Sequence, residues 1–274
     1  MTIGRYLTAR EPQYSVACSY LHIRSNDNGG FREKMFGWIR KVVRKILSYS
    51  LAPILEYSAN QIQEQNINTA LYELSCRRAI QSSVDYAEQK MPSALMFKMT
   101  ASLWDYALSK ISVEGLCVEF GVWRGRSINY FAKRMEIVYG FDSFEGLRED
   151  WAGWGFAKGA FSLQGKMPKV ATNVRLIKGW FNETIPAFLD AHSGPLSFVH
   201  IDCDTYESAA LTLNLIKPRI LPGTVIVFDE YFGYRGWQSG GEFRAWAEFV
   251  LDTGTKYEYL AFSSQQVAIR LISV

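Results

Sequence analysis

Five short apolar runs recur through the second half of the chain: "LCVEF" (116–120), "IVYGF" (137–141), "VRLIK" (174–178), "SFVHI" (197–201) and "TVIVF" (224–228). Each is too short for a buried helix and reads as a strand. The segments 127–135, 183–191, 208–220 and 241–251 between them read as helices. Apolar strands alternating with helices predict an α/β fold, a parallel sheet with crossover helices. The tail "KYEYLAFSSQQVAIRLI" gives two alternating runs around Ser263, Ser264 and Gln265, which predicts a terminal antiparallel pair.

Before about residue 110 the pattern is helical and less regular. In 35–51, Trp38, Ile39, Val42, Val43, Ile46 and Leu47 fall on one side of a helix, with Arg40, Lys41, Arg44 and Lys45 on the other. Two readings stand for this segment: a helix docked on its own domain or a partner, or one lying on an anionic membrane surface. "SNDNGG" (25–30) reads as a loop, and the helical stretch 54–110 is expected to pack over the end of the sheet that carries the chemistry.

Composition narrows the classes. With 274 residues and 48% apolar content, the chain can bury a sizeable core. A net charge of +3, scattered along the chain, gives no nucleic-acid face. Cys18, Cys76, Cys117 and Cys203 lack metal-ligand spacing, and Cys117 and Cys203 read as reduced thiols in or beside strands, which fits a cytoplasmic setting. "MTIGRYLTAREPQYS" has no apolar centre, so no secretory signal is expected, and no uncharged apolar run reaches membrane-spanning length.

Two stretches carry candidate chemistry. "VEFGVWRGRS" (118–127) sets Glu119, Gly121 and Gly125 at a strand-to-helix junction, where glycine lets the backbone turn and a ligand approach. The spacing is neither a phosphate-gripping loop nor the strict dinucleotide fingerprint. The next strand ends in "GFDSFEG", where Asp142 can accept ribose hydroxyls or serve as a turn aspartate. In "HIDCDTYES" (200–208), Asp202 and Asp204 close a strand one residue apart and point the same way. Carboxylates that near repel unless a cation, a donor or a shared proton relieves them. The pair therefore calls for a metal, a nucleotide or a proton-transfer task. His200 shares the face of Asp202 one pleat deeper and reads as a packed histidine, with a base as the second reading. His22 and His192 have no acidic neighbours that suggest catalysis.

"VEFGVWRGRS", "YGFDSFEGL", "GWFNETIP", "HIDCDTYES" and "FDEYFGYRGWQSGGEFRAWAEF" resemble, in the same order, motifs of the macrocin O-methyltransferase family, class I S-adenosylmethionine enzymes that methylate sugar hydroxyls. The resemblance covers 95–274 and leaves 1–94 as an N-terminal helical extension or cap. It implies a Rossmann-like, doubly wound, mostly parallel seven-stranded sheet with its last strand antiparallel. It also implies a homodimer and a role in natural-product biosynthesis.

The resemblance assigns S-adenosylmethionine to Glu119, Gly121, Gly125, Ser127, Asp142, Ser143, Trp180, Phe181 and Asp202. The loop around Gly121 would face the methionine portion, Asp142 the ribose, and Trp180 or Phe181 the adenine, with Trp180 open to a second reading as core. It places Mg2+ at Asp202, Asp229 and Glu230, and the general base at Asp204. Family members commonly carry Asp-Asp where this chain has Asp229-Glu230. For a sugar or glycoside acceptor, Trp154, Tyr206, Tyr234, Arg235 and Trp237 are candidate contacts. The loop "EDWAGWGFAKGAF" (149–161) either closes over a substrate ring or anchors its aromatics in the core.

Two rivals remain. One is a glycosyltransferase that uses Asp-x-Asp to hold a metal on a nucleotide-sugar diphosphate, although such an enzyme has no need of the Glu119, Gly121 and Asp142 arrangement. The other is a non-catalytic subunit of methyltransferase fold, attached to a membrane through 35–51.

Overall fold

The computed structural model describes residues 29–274, so Cys18, His22 and the segment read for a signal lie outside the described residues. Gly29 and Gly30, read as the end of a loop, instead open helix α1 (Gly29–Lys90). The chain divides into two compact units between Asn68 and Thr69. No helix among the described residues is long and apolar enough to cross a membrane. In the first unit, the apolar side chains Trp38, Ile39, Val43, Ile46 and Leu47 of α1 are exposed.

The second unit is built on one sheet. Its strands are β1 (Leu95–Met96), β2 (Leu116–Phe120), β3 (Val138–Asp142), β4 (Val174–Lys178), β5 (Leu196–Ile201), β6 (Ile220–Phe228), β7 (Lys256–Phe262) and β8 (Val267–Ser273). They lie in the order β1-β7-β8-β6-β5-β2-β3-β4. The sheet thus has eight strands, correcting the seven expected. The addition is β1, an edge strand of two exposed residues paired parallel to β7, too short to show any periodicity in sequence. The last strand, β8, runs antiparallel to β6 and β7, as the resemblance implied. Chain order reverses at β2, with β3 and β4 to one side and β5 and β6 to the other. An open α/β sheet forms its ligand crevice at the carboxyl edge of such a reversal.

Helices cover both faces. Side chains of α4 (Phe181–Ala191), α5 (Tyr206–Ile216) and α6 (Gly241–Thr253) pack with Val118, Phe120, Val199, Ile201 and Phe228. Side chains of α2 (Thr100–Leu108) and α3 (Arg126–Phe131) pack with Cys117, Phe198, Val225 and Val227. Full burial of each such side chain contributes roughly 1.5–3 kcal/mol, which is why the strands stay apolar until their carboxyl ends.

The last turns of α1 belong to this unit. Ser83 Oγ accepts the N–H of Gly233 at 2.9 Å, and Trp237 Nε1 donates to Ser82 Oγ at 3.0 Å. These bonds fix the segment between β6 and α6, which carries the residues following Asp229 and Glu230.

Candidate active site

At the carboxyl edge, the ends of β2 and β5 almost touch. Asp202 N–H donates to the carbonyl of Phe120 at 2.9 Å, and Gly121 has φ +93°. A side chain at Gly121 would run into the carbonyl oxygen of Asp202, so both conformation and space demand glycine there. Asp142, ending β3, braces the same loop. Its Oδ2 accepts the N–H groups of Val122 (2.9 Å) and Trp123 (2.7 Å), and its Oδ1 accepts that of Phe144 (2.7 Å).

Beside this loop opens a cavity of about 710 Å³. Of the residues assigned to the cofactor, Gly121, Ser127, Asp142, Ser143, Trp180, Phe181 and Asp202 line it. Gly125 caps α3 at φ +80°, while Glu119 is fully buried behind the wall. Arg148 stacks over the Trp180 ring, 4.3 Å from its centroid, and Phe181 packs edge-on against Phe120.

The acids Asp202, Asp204, Asp229 and Glu230 line this same cavity. Carboxylate oxygens of Asp202, Asp204 and Glu230 all lie within 4.8 Å of one another. Burial, then the charge of Asp229, pushes the carboxyls of Asp202 and Glu230 well above the ordinary range. Burial, with the charges of Asp229 and Asp142, raises Asp204 to about 7. Glu230 Oε2 is buried with no hydrogen-bond partner. Three converging carboxylates, one of which carries an orphaned oxygen, fit a hard divalent cation, which takes carboxylate ligands and relieves their repulsion.

Behind them lies a second charged layer. Fully buried His200 places Nδ1 2.8 Å from Glu119 Oε1 and Nε2 3.5 Å from Asp229 Oδ1. Burial disfavours a charged imidazole, but the neighbouring Asp229 carboxylate and the hydrogen bond to Glu119 hold His200 well above its ordinary pKa. Burial also works against ionised Asp229, yet the neighbouring, charged His200 keeps it below the usual carboxylate range. Gln266 Nε2 donates to the same carboxylate. His200 is thus the packed, hydrogen-bonded histidine read from strand alternation. His192 lies elsewhere, stacked on Phe188 in α4.

Asp204 sits in unusual backbone. Its φ is +63°, and Thr205 N–H closes a three-residue turn onto the carbonyl of Cys203 at 2.6 Å. A turn of this hand is rare and strained, and such strain concentrates at functional sites. Trp123, Phe144 and Phe161 also have positive φ. Trp123 and Phe161 line the cavity, and Phe144 bonds to Asp142.

The loop 149–161 divides its aromatics. Trp151 is a buried anchor at 7% exposure that also borders the cavity, while Trp154 and Phe156, at 40% and 41%, line it as exposed rings. Trp154 lies nearly parallel to Tyr234, with ring centroids 6.1 Å apart. Tyr234 is buried, with its hydroxyl unpartnered, and Arg235 Nη2 donates to the carbonyl of Ala152 at 3.3 Å. Trp237 is buried in the core against Phe243 and Tyr86. Tyr206 bonds Glu248 at 2.5 Å, with Arg244 over its ring. Of the five candidate sugar contacts, Trp154 is the one that lines the cavity.

Several residues had no advance signal. Glu242, in the first turn of α6, is fully buried; its Oε1 accepts the N–H of Cys203 at 3.3 Å and its Oε2 that of Glu230 at 3.0 Å. The only hint was Gly240-Gly241 directly before it, a mark of close backbone approach. Trp104, Trp123, Phe161 and Gln266 also line the cavity, and all sit where aromatic or turn residues pass as ordinary.

A family model described as "Methyltransferase domain" matches residues 118–231, from the glycine loop to just past Glu230. The chain is 30% identical over 143 residues to the 8-demethyl-8-(2,3-dimethoxy-alpha-L-rhamnosyl)-tetracenomycin-C 4'-O-methyltransferase of Streptomyces olivaceus, an alignment spanning 43% of this chain and 54% of that one. It is 28% identical over 145 residues to the demethyldecarbamoylnovobiocin O-methyltransferase of Streptomyces niveus, spanning 44% and 54%. The chain thus spans about half the length of the curated relatives it matches. A crystal structure of CalS11, a calicheamicin methyltransferase, aligns at a TM-score of 0.49 and 19% identity over 90% of this chain and 99% of that one. The matches meet the resemblance at the level of a methyltransferase domain and of O-methyltransferases; the macrocin family is a finer assignment.

Proposed function

We propose that this protein is an S-adenosylmethionine-dependent O-methyltransferase acting on a hydroxyl of a sugar or glycosylated metabolite, in the manner of the macrocin family, with a divalent cation such as Mg2+. The observation that carries this reading is one cavity shared by two devices: the Gly121 loop braced by Asp142, and the carboxylate group of Asp202, Asp204 and Glu230. The alignments to sugar-antibiotic O-methyltransferases support the acceptor class.

When bound, S-adenosylmethionine supplies an activated methyl group, and a divalent cation lowers the pKa of a coordinated hydroxyl. The protein's part is binding, aim and proton transfer. Asp142 holds the glycine loop in shape and offers its one remaining lone pair, on Oδ1, to a ribose hydroxyl, while Trp180 and Phe181 present aromatic surface for an adenine. Asp202 and Glu230 hold the cation, flanked by Asp229, which His200 and Gln266 keep ionised and in place. Asp204, facing the same space from its strained turn, accepts the acceptor's proton at its carboxylate as the new bond forms. Trp154 and Phe156 give an apolar wall against which a sugar ring packs and from which water is excluded.

In this reading 95–274 is the methyltransferase domain, preceded by an N-terminal extension, 1–94, whose described part is helix α1, and the enzyme works as a homodimer in the cytoplasm. Free, buried Cys117 and Cys203 are compatible with a reducing setting.

Calorimetry with S-adenosylhomocysteine, UDP and GDP tests the proposal. Saturable binding of S-adenosylhomocysteine is the expected result. Tight binding of a nucleoside diphosphate in its place would select the glycosyltransferase, and binding of neither would select the non-catalytic subunit.

A further inference from the structure

The stretch of α1 between Glu33 and Glu56 has a charge unlike the rest of the chain. It holds Lys34, Arg40, Lys41, Arg44 and Lys45 and no acid. With 30 basic and 27 acidic residues in all, removing these five cations leaves 25 against 27, so the remainder is net acidic. At about 100° per residue, all five cations fall within one half of the helix circumference. Phe36, Trp38, Ile39, Val43, Ile46 and Leu47 fall within the other half, and all six are exposed, Trp38 at 66% and Ile46 at 58%. Pro53, which has no backbone N–H to donate, lies just past Leu51, the end of this amphipathic segment.

We infer that residues 34–51 form an interfacial anchor that seats the protein on an anionic lipid surface, the apolar half sinking among acyl chains while the cations meet the headgroups. Two other occupants of that face fit the charges less well. Residues 1–28 contain Arg5, Arg10 and Arg24 against Glu11 and Asp27, so they supply no acidic complement. A second copy of the same helix would bring five further cations alongside the first five. The apolar arc also spans a half-turn, wider than the narrow seam of a helix pair and suited to lying flat in a membrane interface. No helix among the described residues can span a bilayer, so the contact is with one leaflet.

The test is flotation of the full chain with phosphatidylcholine vesicles, with and without about a third phosphatidylglycerol. The protein should float with the anionic vesicles at low salt and stay behind with neutral ones or at high salt. Each cation near such a surface contributes about 1 kcal/mol, so R44Q/K45Q should lower partitioning roughly 30-fold. W38E/I46E should abolish it, with helicity by circular dichroism and S-adenosylhomocysteine binding unchanged, since both positions are exposed and lie outside the second unit. Failure of the wild type to float, equal flotation on neutral vesicles, or a W38E/I46E protein that only changes from dimer to monomer would each overturn the inference. None of these outcomes depends on the methyltransferase reading.

Discussion

Glu242 Oε2 accepts the backbone N–H of Glu230 at 3.0 Å, so a carboxylate from the start of α6 holds the main chain of an acidic residue just past β6. Its Oε1 does the same for Cys203, between Asp202 and Asp204. Burial pushes the Glu242 carboxyl well above its ordinary range, and these two amide donors work to hold it down. Glu242, which does not line the cavity, thus pins the backbone at two of the strand ends that carry the acids.

Replacing Glu242 with Ala leaves two buried donors unpaired, at about 1–3 kcal/mol each. E242A should lower the unfolding midpoint by several degrees, read by thermal denaturation. E242Q keeps one acceptor and should recover part of that loss. In E242Q, cation affinity should fall more than S-adenosylhomocysteine affinity, because the glycine loop rests on Asp142 instead.

Asp142 bonds three backbone N–H groups and faces the cavity. Charged hydrogen bonds are worth about 1.5–3 kcal/mol, so D142A should weaken S-adenosylhomocysteine binding by on the order of 10²-fold in calorimetry, and D142N by less. An unaltered dissociation constant in D142A would remove Asp142 from the ribose.

Asp204 gives a stability test independent of activity. At φ +63°, a residue with a Cβ is strained by roughly 1–2 kcal/mol relative to glycine. D204G should therefore be more stable than D204A by about that amount in urea unfolding. D204N should keep S-adenosylhomocysteine affinity while turnover falls about 10²–10⁴-fold, the range for a lost general base. Full turnover in D204N would end its role as proton acceptor.

Much of this was legible beforehand for definite reasons. The strands end on acids because a parallel sheet buries its middle and exposes its carboxyl edge, so "SFVHI" followed by Asp202 located both the strand and the site. Gly121 was legible because close approach of two backbones excludes every other residue. Glu242 was not, because a glutamate in the first turn of a helix is the commonest of solvated residues. Trp237 misled for the opposite reason. An aromatic residue beside the acids looked like a ligand contact, whereas its Nε1 found Ser82, 155 positions earlier, and its ring joined the core.

Chelation offers a prediction on the acids as a set. EDTA should abolish methyl transfer yet leave S-adenosylhomocysteine binding in place, with activity restored by Mg2+. D229N and E230Q should be slowed by roughly 10²-fold and respond little to added Mg2+, since a cation contributes several kcal/mol to such a step. Wild-type activity in E230Q with undiminished metal response would remove Glu230 from the cation site.

The most direct measurement is anomalous scattering from a crystal soaked with Mn2+ and S-adenosylhomocysteine. One metal peak is expected between Asp202 and Glu230, beside Asp229, with Asp204 facing the acceptor space and the adenosyl group lying along Asp142 and Trp180. A peak bound elsewhere, or a cavity that takes up neither ion nor adenosyl group, would contradict it.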